Sequence, residues 1–333
     1  MSMPIFRILP CVALAAVGLQ AQQATVAGPI AGYVFDASAQ GVRPILGLPG
    51  ASLLGDPLSL GFAASSAFIA PRQDMAFVIA GDGSFHLFRI NSGTVTEFSV
   101  DGLGGAPDRV VFSPSGTAAA LYGGGSIQVI TGLPGAPTVA GAIDVSSSGV
   151  PDSFALSDDG TVLLLSAGNA VRLIGSLADM GKLMDTAGSA LLAFAAGTHD
   201  AAITDPTGAG VVLFHDLTGA GSSQVLAPPD ATISASSAEA FSMDGKSLLL
   251  ASASAQSITT FDLGAGARNV IACSCKPNSL SSMGSVFRLN DLGKDPLWLL
   301  DTRPSQPQVL FVPALSDHRL RHLPEGTTAH RLP

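Results

Sequence analysis

Charge is what this 333-residue chain has least of: 12% of its residues are Asp, Glu, Lys or Arg, and only four are lysine. The basic residues are scattered and interleave with no aromatic stripe, which excludes a nucleic-acid footprint. With a net charge of −9 the surface is mildly acidic, a solubility feature rather than a recognition one. Helical heptads and long amphipathic helical patterns are missing, so bundles and coiled coils fall away. Beyond the N-terminus no stretch is long and apolar enough to cross a bilayer as a helix, and no transmembrane segment is expected. The local signatures of catalysis are missing too: no G-x-S-x-G elbow, no H-E-x-x-H pair and no P-loop. Glycine runs such as Gly123-Gly124-Gly125 fall between strand-like segments, with no following helix to cradle a phosphate.

What is present in quantity is glycine (38) and proline (22), spread along the chain, which suits many tight turns between short strands. One phrase organises them. Val110-Val111-Phe112-Ser113-Pro114-Ser115-Gly116, followed by Thr117-Ala118-Ala119-Ala120-Leu121, reads as strand, turn, strand. It returns at Phe154-Ala155-Leu156-Ser157-Asp158-Asp159-Gly160 and at Ala240-Phe241-Ser242-Met243-Asp244-Gly245, each before a Leu-rich run. A degenerate copy runs from Phe68 to Asp74, a blurred one over 191–202, and a last one around Phe287. Ile69 to Phe112 is 43 residues, Phe112 to Leu156 is 44, and Leu156 to Phe241 is 85, or two steps. A period of about 40–45 residues built from short strands is that of a propeller blade, a four-stranded sheet that must stack on its neighbours to bury its faces.

The expected fold is therefore all-β: a β-propeller of six, or seven, four-stranded antiparallel blades. The blades fall at 65–103, 107–146, 151–188, 191–228, 236–272 and 279–315. Strands over 31–47 have no inner hairpin before them, so they are expected to close the ring by completing the last sheet. Seven blades result instead if 31–62 forms a blade of its own. The anchors Phe112, Leu156 and Phe241 should pack between blades, and Asp159-Gly160 and Asp244-Gly245 serve the first turn of each blade.

The N-terminus carries Arg7, an apolar run from Ile8 to Leu19 and a small residue at Ala21. This reads as a secretory signal peptide over 1–21, cleaved near Ala21, which places the mature protein in the periplasm or outside the cell. Residues 22–315 then form one propeller domain, and 316–333, with His318, His322 and His330 among arginines, a flexible tail.

The phrases Phe112-Ser113-Pro114-Ser115-Gly116 and Phe241-Ser242-Met243-Asp244-Gly245 resemble the F-S-P-D-G phrase of bacterial secreted propellers of the Tol, YVTN and lactonase-like types, distantly similar to WD repeats. The resemblance covers residues 30–315 at the level of the repeat. It implies the fold and leaves function open, since this fold hosts binding scaffolds and enzymes alike. The Trp-Asp dipeptide of WD repeats is absent; Leu299 follows Trp298.

Few residues point to chemistry. Asp108 and Asp152 sit four residues before their anchors in consecutive blades, at a mouth of the channel, where a pair of carboxylates can hold a divalent cation. Ser65, Ser237 and Met283 occupy the matching positions elsewhere, so the ring of ligands is incomplete, and capping of turn backbone is the plainer role. In an exported chain Cys273 and Cys275 are candidates for a disulfide across two residues. His86, His199 and His215 stand alone in sequence. Three functions remain, the last of them a purely structural module of an envelope assembly. The first is a monomeric, non-enzymatic binding or scaffold protein without cofactor, holding a protein, peptide or glycan. The second is a metal-assisted, lactonase-like or other hydrolase using the channel-mouth carboxylates with a divalent cation in the central channel.

Overall fold

A computed structural model describes residues 28–303 and 306–314; the segments read as an export signal and a C-terminal tail lie outside the described residues. The chain forms a seven-bladed β-propeller. Blade 1 holds β1 (Ile30–Asp36), β2 (Gly41–Leu48) and β3 (Ala51–Leu54). Blade 2 holds β4 (Ala64–Ile69), β5 (Met75–Ala80), β6 (Phe85–Asn91) and β7 (Thr94–Phe98). Blade 3 holds β8 (Arg109–Phe112), β9 (Ala118–Gly123), β10 (Ser126–Thr131) and β11 (Thr138–Asp144). Blade 4 holds β12 (Ser153–Leu156), β13 (Val162–Ala167), β14 (Ala170–Gly175) and β15 (Ala178–Asp185). Blade 5 holds β16 (Leu191–Phe194), β17 (Ala201–Asp205), β18 (Gly210–His215) and β19 (Ser222–Ala227). Blade 6 holds β20 (Ala238–Phe241), β21 (Ser247–Ser252), β22 (Ser257–Asp262) and β23 (Arg268–Ala272). Blade 7 holds β24 (Ser281–Met283), β25 (Val286–Arg288), β26 (Leu297–Asp301) and β27 (Gln308–Val312). Every sheet is antiparallel and pairs strands in chain order, the first strand innermost.

The apolar pattern of each strand follows from its place in the blade. A second strand is covered on both faces by neighbouring blades, so it reads as a continuous apolar run. Val162–Ala167 is buried at all six positions, and Met75–Ala80 at five of six. An outer strand keeps one face toward solvent, and the seven residues of β11 alternate exposed and half-buried throughout.

The repeated phrase is a hydrogen-bonded turn. Ser157 N–H donates to the Val162 carbonyl, Val162 N–H donates back to Ser157 Oγ at 3.0 Å, and Gly160 N–H donates to the Ser157 carbonyl. Ser113 and Ser242 make the same contacts with Ala118 and Ser247. The glycine adopts φ of +71°, +74° and +67° at 116, 160 and 245, where a side chain would be strained. Ser157 and Ser242 also donate at 2.7 Å to Asp159 and Asp244, which explains the Asp of the phrase.

Seven apolar clusters fill the seven seams between blades. Phe77 and Leu121 meet between blades 2 and 3, Ile127 and Leu156 between 3 and 4, Leu164 and Ile203 between 4 and 5. Leu213 and Leu248 meet between blades 5 and 6, and Leu249 and Phe287 between 6 and 7. The ring closes through Val34 and Ile45 against Leu297 and Leu299 of blade 7, and through Tyr33 and Val42 against Val78 and Phe88 of blade 2. Fully burying such a side chain contributes roughly 1.5–3 kcal/mol, so closure by side-chain packing is substantial.

The expected sharing of the first hairpin with the last blade is not what forms. Blade 7 takes all four strands from 281–312, leaving no vacancy for β1, and the N-terminal strands make a blade of their own, three-stranded among the described residues. At the channel, Gly284 N–H donates to the Pro71 carbonyl at 2.7 Å, joining the turns of blades 7 and 2 around β1.

Candidate functional site

The inner strands enclose a cavity of about 570 Å³ on the propeller axis. Its wall takes residues from all seven blades: Tyr33, then 67–69, 110–112, 155–156, 192–194, 239–241 and 281–283. The turns that follow the inner strands, including Pro71, Ser113, Ser115, Ser242 and Met243, form its mouth. The wall is mostly apolar because the seam-filling anchors Phe112, Leu156, Phe194 and Phe241 also front the axis.

Polar side chains of the wall are mostly spent on the fold. Gln73 accepts from Tyr33 N–H at 2.7 Å and donates to the Ala70 carbonyl at 3.0 Å. Tyr33 Oη accepts from Gly93 N–H at 2.9 Å, and burial raises the pKa of this phenol. Ser113 and Ser242 are held in their turns, and Ser281 Oγ accepts from Arg288 at 3.4 Å. Arg288, also in the wall, pairs with Asp291 at 3.3 Å; burial lowers its pKa and the Asp291 charge opposes that.

Glu239 differs from these. Its Oε2 accepts from the Thr204 hydroxyl of blade 5 at 2.5 Å, while Oε1, shut off from solvent, has no partner. Burial pushes this carboxyl up to about 8, with the Thr204 hydrogen bond acting the other way. A carboxyl so placed is neutral near pH 7 and can donate a hydrogen bond. An apolar pocket with few polar groups and a perturbed titratable residue is the usual form of a ligand site.

Outside the cavity, Asp158 fastens three blades at the same mouth: its carboxylate accepts from Ser115 N–H and from Gly197 N–H, both at 2.7 Å. Asp159 accepts from Ser157, Thr161 and His199. Burial pushes its carboxyl up, but these hydrogen bonds outweigh it and hold the group far below the usual range. His199 and His215 are tied to Asp159 and Asp200 at 3.0 Å each, and His86 to Glu97 at 2.6 Å.

Asp108 and Asp152 do stand at matching places, each just before an inner strand with its N–H on the second strand, to Tyr122 and Ser166 carbonyls at 2.8 Å. They lie at the opposite end of those strands from the mouth formed by the turns, are exposed, and do not line the cavity. Among the described residues no three His, Cys, Asp or Glu side chains converge on one point as metal ligands do. Cys273 and Cys275 are joined as a disulfide, their Cα atoms 5.0 Å apart, and both are buried in the seam between blades 6 and 7. Glu239, Thr204 and Arg288 were not singled out by motif. The available signal was positional: the slot two before the anchor is Val110, Phe154 and Leu192 in blades 3 to 5, and Glu239 in blade 6.

No known family profile matches the sequence, and no curated protein is similar to it at a significant level. Solved structures do match the fold. A protein of unknown function from Desulfotomaculum acetoxidans superposes with a TM-score of 0.55 at 11% identity, covering 85% of this chain and 99% of its own. A protein of Bacteroides fragilis provisionally assigned as a 6-phosphogluconolactonase gives 0.56 at 16% identity, covering 85% and 92%. Hydrazine synthase of Kuenenia stuttgartiensis gives 0.53 at 15% identity, covering 87% and 98%. At these identities the likeness is one of fold, and the chain is a seven-bladed propeller similar to proteins of unlike activity.

Proposed function

We propose that this is an exported, monomeric binding propeller without catalytic activity, which holds a protein or peptide partner by an apolar group inserted into the axial cavity. The observation that carries this reading is the cavity itself: about 570 Å³, open at the mouth ringed by the serine turns and walled by aromatic and aliphatic side chains of every blade. That volume is in the range of small-ligand sites. An apolar wall favours an apolar side chain over a glycan, whose hydroxyls would lose water without gaining partners. Export rests on the N-terminal pattern of Arg7, the apolar run and Ala21.

The test is a fluorescence titration with N-phenyl-1-naphthylamine, a neutral apolar fluorophore. One-to-one binding is expected, with loss of binding in Ala67→Trp, which fills the cavity from its wall, and no change in Asp108→Ala. Absence of one-to-one binding, or binding undiminished in a folded Ala67→Trp protein, overturns the reading. A hydrolytic activity lost in Asp108→Ala would replace it with the hydrolase.

A further inference from the structure

The inner strands are repeats of one another, so a departure at one slot is informative. Where blades 3, 4 and 5 place Val110, Phe154 and Leu192, blade 6 places a carboxyl. The fold has no use for it there: burying a polar group with half its hydrogen bonds unmade costs stability. Four buried side-chain polar atoms are without a partner among the described residues, on Ser52, Asp74, Thr186 and Glu239, and of these residues Glu239 alone lines the cavity. With the Thr204 hydroxyl donating to Oε2, the neutral acid has Oε2 as its carbonyl oxygen and carries its proton on Oε1.

We propose that Glu239 is the polar anchor of the axial cavity, donating its carboxyl hydrogen to an oxygen acceptor, a carbonyl or carboxylate, on the apolar group that enters. This rests on the reading of the cavity as a binding site and adds the chemistry of what binds. Rotation about the soft terminal torsion of the glutamate brings Oε1 to the cavity; because both oxygens turn together, the Thr204 hydrogen bond is exchanged for the one to the ligand. The charge in the same wall fixes the sign of the ligand: the Arg288 guanidinium repels an amine and favours an oxygen acceptor.

The surroundings of Glu239 contain little else that titrates. β16 and β21, which pack against β20, and β24, the inner strand of the next blade, carry no ionisable side chain. β17 adds Asp205, whose carboxylate is taken by the N–H groups of Ala187, Thr207 and Ala209. β25 adds Arg288, paired with Asp291. Recognition of the acceptor therefore follows the protonation of Glu239 itself, and is lost as pH rises through about 8.

Calorimetric titration with naphthalene, 2-acetylnaphthalene and 2-naphthylmethylamine separates the possibilities, since the three share one apolar body. The wild type is expected to bind the ketone about 3- to 10-fold tighter than the hydrocarbon, the amine weakest, with the ketone preference disappearing about one and a half units above the carboxyl pKa. Glu239→Gln keeps a donor and should retain the preference at every pH. Glu239→Val, which restores the side chain of the blade 3 slot, should bind naphthalene and lose the preference. Equal binding of ketone and hydrocarbon by the wild type, a pH-independent preference, or tightest binding of the amine overturns the proposal while leaving the cavity a binding site. Failure of the wild type to bind naphthalene at all overturns the binding reading, and this inference with it. Should Glu239→Val fail to fold, the wild-type pH dependence set against Glu239→Gln decides.

Discussion

The Thr204 hydroxyl meets Glu239 Oε2 at 2.5 Å across the seam between blades 5 and 6, and it is the one side chain that supports a carboxyl otherwise buried among apolar neighbours. Burial raises the folded pKa from 4.5 to about 8. Between those values the folded state holds a proton that the unfolded chain has released, so stability falls as pH rises, by at most about 1.4 kcal/mol per unit. Asp230, held near 2 by Arg268 and backbone N–H groups, loses its contribution only as pH falls below the ordinary carboxylate range, outside this window. Glu239→Gln should therefore gain on the wild type steadily from about pH 5 to about pH 8. Thermal melts of the two proteins across that range check it, and a constant difference in melting temperature contradicts it.

Ring closure depends on a close approach at Gly32. A Cβ there would come within 2.5 Å of Met283 Cε and 3.1 Å of Gln73 Oε1, and Gln73 Oε1 is already fixed by Tyr33 N–H. Gly32→Ala should destabilise the protein by about 1–3 kcal/mol, the usual cost of overpacking. Because the nearer atom is the end of a flexible side chain, adding Met283→Leu, which removes Cε, should recover part of the loss in a urea titration.

The serine of the repeated phrase supports its turn in proportion to its partners. In Ser157→Ala the buried Val162 N–H loses one acceptor and Asp159 loses a donor. Ser113→Ala removes the bond to Ala118 N–H alone, since Ser115 stands where the other copies carry Asp159 and Asp244. Both should cost about 1–3 kcal/mol, with Ser157→Ala the larger, by chemical denaturation of each variant.

Much of the architecture was legible because it is local and repeated. Ser113, Ser157 and Ser242 with their glycines mark the turn of three blades directly, and the two-step gap from Leu156 to Phe241 implied the blade between them that Leu191–Phe194 begins. Blade 1 was obscured for a physical reason: the phrase that marks an inner strand is a turn phrase, and β1 ends instead in the turn after Asp36, which Asp36 holds through Ser38 and Ala39. An axial channel followed from the repeat, but its lining did not. Glu239 looks in sequence like any strand glutamate, and its position emerges only once Thr204, 35 residues earlier, is brought against it by the packing of two blades.

Cys273 and Cys275 offer a last measurement, and their place in the fold decides its outcome. The bridge closes a loop of three residues, for which the chain-entropy account gives only about 1–2 kcal/mol. Both sulfurs, however, pack among Leu249, Ile258, Phe287 and Leu289 in the seam between blades 6 and 7, where they fill volume whether bonded or not. Reduction should therefore cost little, while replacing both residues by alanine removes the sulfurs and adds a cavity penalty on top. The unreduced protein should be about 2 Da lighter than its reduced form. It should resist mild reductant while folded, because the seam must open before a thiolate reaches either sulfur. Rapid labelling of both cysteines in the native protein under mild reductant would show instead that this seam opens readily.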